Sequence, residues 1–185
     1  MSPWIERLSA RVTIGDTRPP DDGRRRAAVA AVLHDDRVLL MKRTERAGDP
    51  WSGHISLPGG GFDARVPDLL ATAIREAREE LGLELESARL LGNLRPLSPM
   101  SSGPLGVEVT PFVFVTEQAL EPQLGPEAQA AFWLPLALAA SGSLDDTYTY
   151  PGTERTFPSW RYESFIIWGL TWRILGDLMT LAHSR

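Results

Sequence analysis

The sequence predicts an α+β fold, a β-sheet flanked by helices, and three observations carry that expectation. Apolar runs of strand type recur at residues 26–43, 88–97, 107–116 and 130–135. Helical periodicity is concentrated in separated segments, chiefly 68–81 and 164–182. The two patterns do not alternate as regular βαβ units, which disfavours a doubly wound parallel sheet. At 185 residues the chain suits one domain with a substantial core.

Taken in order, residues 3–12 space Ile5, Leu8 and Val12 for one face of a short helix. RAAVAAVLHDDRVLLMKR then reads as two strands around a turn at His34-Asp35-Asp36-Arg37, apolar runs bounded by polar residues as a hairpin requires. The loop TERAGDPWSG leads to a brief strand, HISL, ending in Pro58-Gly59-Gly60-Gly61, a loop by composition. Asp68 is placed to cap a helix through Leu81, with Leu70, Ala73, Ile74, Ala77 and Leu81 as its buried stripe and Gly82 as its stop. ARLLGNLRPL and VEVTPFVFVT are strands joined by the loop SPMSSGPLG, and AAFWLPLALAAS is a strand turning into a short helix at Pro135. Residues 142–158 are expected to be mostly irregular, and a long helix from about Ser164 to Ala182 closes the chain. Its stripe of Ile167, Leu170, Ile174, Leu178 and Leu181, with Trp168, Trp172, Leu175 and Met179 around the rest, must be buried in the fold or against another subunit. Both a monomer and a homodimer satisfy that demand.

A formal charge of −5 and a pI near 5.2 argue against nucleic acid or an anionic membrane as partner. Any polyanionic ligand must be met by local cations. With no cysteine, disulfides, zinc–thiolate sites and thiol catalysis are excluded, which suits a reducing cytosol. MSPWIERLSARV lacks the apolar run of a secretory signal, and SFIIWGLTWRILGDLMTLA is interrupted by Arg173 and Asp177. The expectation is a soluble cytoplasmic protein.

IREAREELGLEL, residues 74–85, packs Glu76, Glu79 and Glu80 around one helical turn. Spacings of three and four put the carboxylates on a shared face, where like charges repel by roughly 0.2–0.5 kcal/mol per pair. The helix ends at Gly82, and anions near that negative end of the dipole cost about another 0.3–1 kcal/mol each. Either this is an ordinary solvated face laced with Arg75–Glu79 pairing, or a cation resolves it.

Read outwards, LPGGGFDARVPDLLATAIREAREELGL resembles the signature of the Nudix hydrolases, G-x5-E-x7-R-E-U-x-E-E-x-G-U with U a bulky aliphatic residue. Gly61 fills the first glycine and residues 75–83 fill the second half, so the box spans 61–83. Two positions depart from it: Pro67, beside Asp68, stands where the early glutamate belongs, and the small Ala77 fills the first U. The resemblance implies a Nudix fold, a mixed β-sheet sandwiched between α-helices, and a single domain over residues 1–185, with an N-terminal extension of about 1–24. It also implies a phosphoanhydride hydrolase requiring Mg²⁺ or Mn²⁺, ions that favour carboxylate, carbonyl and water oxygens. Glu76, Glu79 and Glu80 supply carboxylates, and by family analogy a carbonyl of the glycine run, at Gly60 or Gly61, is a further ligand. Such an ion neutralises a diphosphate and lowers the pKa of an attacking water. Arg75, four residues before Glu79, can orient that carboxylate. Gly59 and its neighbours let backbone approach the ion or phosphate with no Cβ in the way. Glu76 and Glu127, the latter in LGPEAQAAFWLPL, are both candidates for the general base.

Outside the box, WSGHISLPGG, VTPFVF, FWLPL and IIWGLTWRILGDL resemble the coenzyme A pyrophosphatase branch. Its upstream motif, L-L-T-x-R-S-A-x3-R-x3-G-x3-F-P-G-G, is kept at Leu39, Leu40, Arg43, Gly53, Pro58, Gly59 and Gly60. Met41 replaces the threonine, Thr44-Glu45 the serine-alanine pair, Leu57 the phenylalanine, and Asp49 the second arginine. Arg43 and Arg46 are candidate phosphate contacts, since guanidinium matches phosphate in a bidentate way. His54, near the glycine run, is a candidate substrate contact. Arg24-Arg25-Arg26 reads as an exposed charge run, and His34 sits in a turn. The expected substrate is a small nucleotide: coenzyme A first, then ADP-ribose, NADH, dinucleoside polyphosphates or an oxidised nucleoside triphosphate. A nucleotide-binding module without turnover is the alternative in another class.

Overall fold

The fold starts from a hairpin that opens. The computed structural model describes residues 2–48, 51–99 and 106–183. In chain order the elements are α1 (Pro3–Ser9), β1 (Arg25–His34), β2 (Arg37–Arg43), β3 (Ile55–Ser56), β4 (Gly59–Gly61), α2 (Leu69–Leu81), β5 (Arg89–Asn93), β6 (Val107–Val115), β7 (Ala128–Pro135), α3 (Leu136–Ala140), β8 (Asp145–Thr149), β9 (Thr156–Tyr162), β10 (Phe165–Trp168) and α4 (Gly169–His183). β1 and β2 pair only beside their turn, at Leu33↔Val38 and His34↔Arg37. Asp35 takes the left-handed conformation there, φ 52°, which a short polar side chain tolerates. Beyond the turn the strands part, β1 pairing with β6 in parallel and β2 with β7 antiparallel. The short strands β3 and β4 fill the wedge, on β2 and β1 respectively, and β5 completes the seven-stranded sheet beyond β6. The sheet is therefore mixed, as expected.

Covering helices explain why β1 is apolar on both faces. Ala28, Ala30 and Val32 pack with Ala73, Ala77 and Leu81 of α2. Ala31 and Leu33 face the other way, towards Ile5 and Leu8 of α1 and Ile174, Leu175 and Leu178 of α4. Each fully buried leucine among these contributes about 1.5–3 kcal/mol of transfer free energy. α4 spends its apolar circumference within the fold, on the sheet and on α1, where Trp4 and His183 meet edge-on at 4.8 Å. Among the described residues, no helix is long and apolar enough to cross a membrane.

The expected helix start and stop at α2 hold. Asp68 Oδ1 accepts from the Ala71 N–H at 2.8 Å, its other oxygen accepts from Thr17 Oγ1 at 2.6 Å, and Gly82 closes the helix at φ 65°. The stripe differs in detail: Leu70 and Ile74 are only half-buried, and the buried face carries Leu69, Thr72, Ala73, Ala77, Glu80 and Leu81. Three further expectations are corrected. Gly59–Gly61 is strand rather than loop, antiparallel to β1 at Val29, Ala28 and Ala27. Residues 142–158, expected to be mostly irregular, hold β8 and the first three residues of β9, strands that form a second sheet with β10. The last helix begins at Gly169, φ 63°, since Phe165–Trp168 extend along β9. Asp49 and most of the SPMSSGPLG loop lie outside the described residues.

Candidate active site

β4 and α2 bring the glycine run and the glutamates together. Gly59 packs so tightly on β1 that a Cβ would lie 2.3 Å from the Ala28 carbonyl oxygen, and its N–H donates to Glu80 Oε2 at 2.8 Å. A Cβ on Gly60 would lie 2.4 Å from Glu76 Oε1, so the missing side chain is the space that the Glu76 carboxylate occupies. Gly61 has nothing within 4 Å of a would-be Cβ, and sterics do not explain it.

The shared face expected for the three glutamates is divided. Glu80 is 2% exposed beneath β4, Glu76 is largely buried under Gly60, and Glu79 projects into solvent. Arg75 bridges two of them, donating to Glu76 Oε1 at 2.5 Å and to Glu79 Oε2 at 2.9 Å. Burial, more than mutual repulsion, sets the electrostatics. It pushes the Glu80 carboxyl up to about 7, against the Gly59 N–H that holds it down. Burial also raises Glu76, with Arg75 opposing.

Glu127 reaches the same place from another element. The C-terminal carbonyls of α2 at Leu81 and Glu80 accept from the N–H groups of Gln123 and Gly125, which satisfies a helix end and pins the loop before β7. The Glu127 carbonyl then accepts from the Thr44 N–H at 2.9 Å. Its carboxylate lies 3.9 Å from Arg43 Nη2 and 3.5 Å from Arg46 Nη1, while Arg43 Nη1 lies 3.7 Å from Glu80 Oε1. Arg43 thus stands between the buried glutamate and the loop glutamate.

These groups line one end of a cavity of about 1260 Å³. Gly59, Gly60, Gly61, Arg43, His54, Arg75, Glu76, Glu79 and Glu127 all border it, whereas Glu80 lies behind β4 and Arg46 is turned to Glu127 and the Pro126 carbonyl outside it. Arg46, a candidate phosphate contact by sequence, does not border the cavity, whereas Arg43 and His54 do. Sequence reasoning also missed the opposite wall. Trp168 stacks on Tyr148 with centroids 4.3 Å apart and meets His54 edge-on at 5.0 Å, with Phe157 tilted at 5.5 Å. The alternation Thr147-Tyr148-Thr149-Tyr150 was the available signal, a period-two strand pattern outweighed by nearby Gly and Pro. Nor is Arg24-Arg25-Arg26 a uniform exposed run: Arg26 is buried, bonded to Glu108 and Asp22, while Arg25 borders the cavity.

The donors at the α2 end fit a hard divalent cation. They are all oxygen, two carboxylates are desolvated without full compensation, and a glycine leaves room for one of them. Among the described residues no three acidic or histidine side chains already stand gathered around one point, and Glu79 points to solvent.

Comparisons with known proteins follow the same lines. The family model of the NUDIX domain matches residues 24–153. An uncharacterized Nudix hydrolase, NudL, of Photorhabdus laumondii subsp. laumondii is 30% identical over 96% of this chain and 95% of its own length. NudL of Salmonella paratyphi B is 33% identical over 69% of this chain and 66% of its own. A crystal structure of a C. elegans Ap4A hydrolase binary complex superposes with a TM-score of 0.51 at 22% identity, covering 63% of this chain and 84% of that one, a likeness of fold.

Proposed function

The chain belongs to the Nudix hydrolases, enzymes that act on pyrophosphate bonds and generally need divalent metal ions, and from that premise we propose that it cleaves the diphosphate of a nucleoside diphosphate linked to another group, coenzyme A or a derivative foremost. The observation that carries this reading is the pair of desolvated carboxylates, Glu76 and Glu80, beside the glycine strand that borders a cavity of about 1260 Å³, room for a whole nucleotide. Glu76, Glu79 and Glu80 are the proposed holders of Mg²⁺ or Mn²⁺, with a carbonyl of Gly60 or Gly61. When bound, such an ion draws charge from the diphosphate and makes an attacking water more acidic.

The chain's own residues supply the rest. Arg75 acts as a positioning residue, fixing Glu76 through a 2.5 Å bond. Glu127 is half-exposed on the cavity wall and is the proposed acceptor of the water's proton, because burial commits Glu76 and Glu80 to the ion. Arg43 borders the cavity beside Glu127, within reach of a substrate phosphate once the carboxylates turn to the metal. His54 and the Trp168 cluster face the part of the substrate away from the reacting bond. The whole chain is proposed to be one domain, with residues 1–24 as an extension whose helix α1 packs on α4. Its proposed setting is the cytoplasm, as a monomer or homodimer.

Products from coenzyme A, ADP-ribose, NADH, a dinucleoside polyphosphate and an oxidised nucleoside triphosphate, each assayed with Mg²⁺, with Mn²⁺ and with chelator, test the reading. Metal-dependent release of 3′,5′-ADP from coenzyme A is the expected result. Metal-dependent turnover of another member alone would replace coenzyme A, and binding without turnover of any would leave a binding module.

A further inference from the structure

Six arginines border the cavity: Arg25, Arg26, Arg43, Arg75, Arg155 and Arg173. Three are committed to acids. Arg26 is held by Asp22 and Glu108, Arg43 by Glu80 and Glu127, and Arg75 by Glu76 and Glu79. The other three have no carboxylate partner among the described residues, although acids stand close along the chain. Asp22 and Glu108 are taken by Arg24 and Arg26, leaving Arg25 without an acid. Asp177, the i+4 neighbour with which Arg173 would ordinarily pair, is bonded instead by Arg95 at 2.9 and 3.2 Å. Asp146, on the strand leading to the β8–β9 turn that carries Arg155, is bonded by Arg161. In a chain of net charge −5, these three cations stand on one cavity.

Their positions follow from the sheet. The parallel register sets Arg25 beside Val107, and the antiparallel bridge Leu97↔Val109 brings the segment leading to Ser98 and Pro99 to the other side of β6, with Pro99 bordering the cavity. Arg173 comes from α4 and donates from Nη1 to the Ser98 carbonyl at 2.8 Å, which fixes it over the same strip of floor. Arg155 stands at the rim, its carbonyl accepting from the N–H of Tyr150, whose ring meets Trp168. Arg25 itself stands on β1, one strand from β4, while Val107 and residues 97–99 lie two and three strand spacings from the glycine strand, about 10–15 Å at some 4.8 Å per strand. A nucleoside bridges such a gap. The apolar floor of Ala27, Val29, Val107 and Val109 between the two ends offers no acceptor of its own and suits the intervening sugar and base.

We propose that this far end is a second anion-binding subsite, in which Arg25, Arg173 and Arg155 hold a phosphate monoester that the substrate carries away from its diphosphate. Guanidinium groups on three separate elements close on a phosphate with charge-assisted, partly bidentate hydrogen bonds. The inference rests on the reading of the α2 end as the place where the diphosphate is cut, and it narrows the substrate class to nucleotides bearing an additional phosphate.

The test is calorimetric binding of 3′,5′-ADP and of 5′-AMP to the full chain, which differ only in that phosphate. The wild type is expected to bind the bisphosphate roughly tenfold or more tightly. Arg25→Ala with Arg173→Ala should bring the two within about twofold. Arg25→Glu alone, at an exposed strand end where the fold is insensitive, should reverse the preference. Equal binding of both nucleotides by the wild type, or an equal loss of both in Arg25→Glu, overturns the subsite. Turnover of coenzyme A against dephospho-coenzyme A separates this idea from the one beneath it. Hydrolysis of both at equal kcat/KM contradicts the subsite and leaves the hydrolase reading standing; a calorimetric preference with neither hydrolysed supports the subsite and contradicts the coenzyme A reading.

Discussion

The two walls of the cavity are built by opposite means. The carboxylate wall comes chiefly from one helix and one short strand, its charge carried by Glu76, Glu79 and Glu80, three and four apart in sequence with Arg75 bonded among them, and Glu127 joins it from the loop before β7. The aromatic and arginine wall draws on β1, the β8–β9 turn, Trp168 and α4, segments more than a hundred residues apart. One wall concentrates negative charge and desolvates it; the other leaves Arg25, Arg155 and Arg173 without a carboxylate partner among the described residues. The difference teaches that the reacting end and the recognising end of such a pocket obey different rules. Chemistry needs local spacing, and selectivity needs tertiary contacts.

Glu80→Gln attacks the carboxylate wall at its most buried point and should have the largest effect. Turnover is expected to fall by more than about 100-fold, the upper end of what even indirect support of a metal ligand contributes. A KM-only change would place Glu80 outside the reaction. Gly60→Ala comes next: its Cβ would meet Glu76 Oε1 at 2.4 Å, so kcat should drop about 10- to 100-fold, whereas Gly61→Ala, with open space around it, should stay within about threefold. Similar losses in both would show that sterics at Glu76 are not the cause.

Trp168→Ala sharpens the comparison from the other side. Losing the ring that Tyr148, His54 and Phe157 surround should raise KM about tenfold while kcat changes little, and should lower stability by about 2–3 kcal/mol, less than a fully buried tryptophan. Trp168→Phe should recover most of the KM. A kcat loss with KM unchanged would move Trp168 into the chemistry.

The smallest effect concerns stability without metal. The folded Glu80 carboxyl, pushed up to about 7, keeps a proton that an unfolded carboxyl with the ordinary value of 4.5 has released, so folding takes up a proton between those values. Chelated protein should therefore gain stability, by up to about 2 kcal/mol, as the pH falls from 7 towards 4.5, and Glu80→Gln should flatten that gain. Thermal unfolding in chelator across this range checks the sign; a steady loss of stability on acidification would contradict it.

Much of the sheet and the whole of α2 could be read from sequence because their signals are short-range. Asp68 and Gly82 bracket α2 by capping chemistry, and the Asp35–Asp36 turn by its polar break. Gly59–Gly61 read as a loop because glycine has no strand propensity; its pairing is imposed by the wedge between β1 and β2. The β8–β10 sheet was hidden by Pro158, which argues against a central strand. The pairing of β10 with β9 ends opposite Ser159, so Pro158 pairs only with β8, at Thr147. The residues of the box were visible at once, but their division into buried Glu80 and exposed Glu79 was not, since spacing gives a face and not its depth. That Arg25, Arg155 and Arg173 lack a carboxylate partner among the described residues was invisible for a plainer reason. Which acid Arg173 forgoes depends on Arg95, which no local pattern reveals.

Binding of Mn²⁺, followed by the loss of the free ion's electron paramagnetic resonance signal, tests most directly that Glu76 and Glu80 form a seat for a divalent cation. Wild type should bind Mn²⁺ with an affinity that falls at least about tenfold in Glu76→Gln and in Glu80→Gln, each still folded. Undiminished binding in both variants, or no binding in the wild type, would contradict the account.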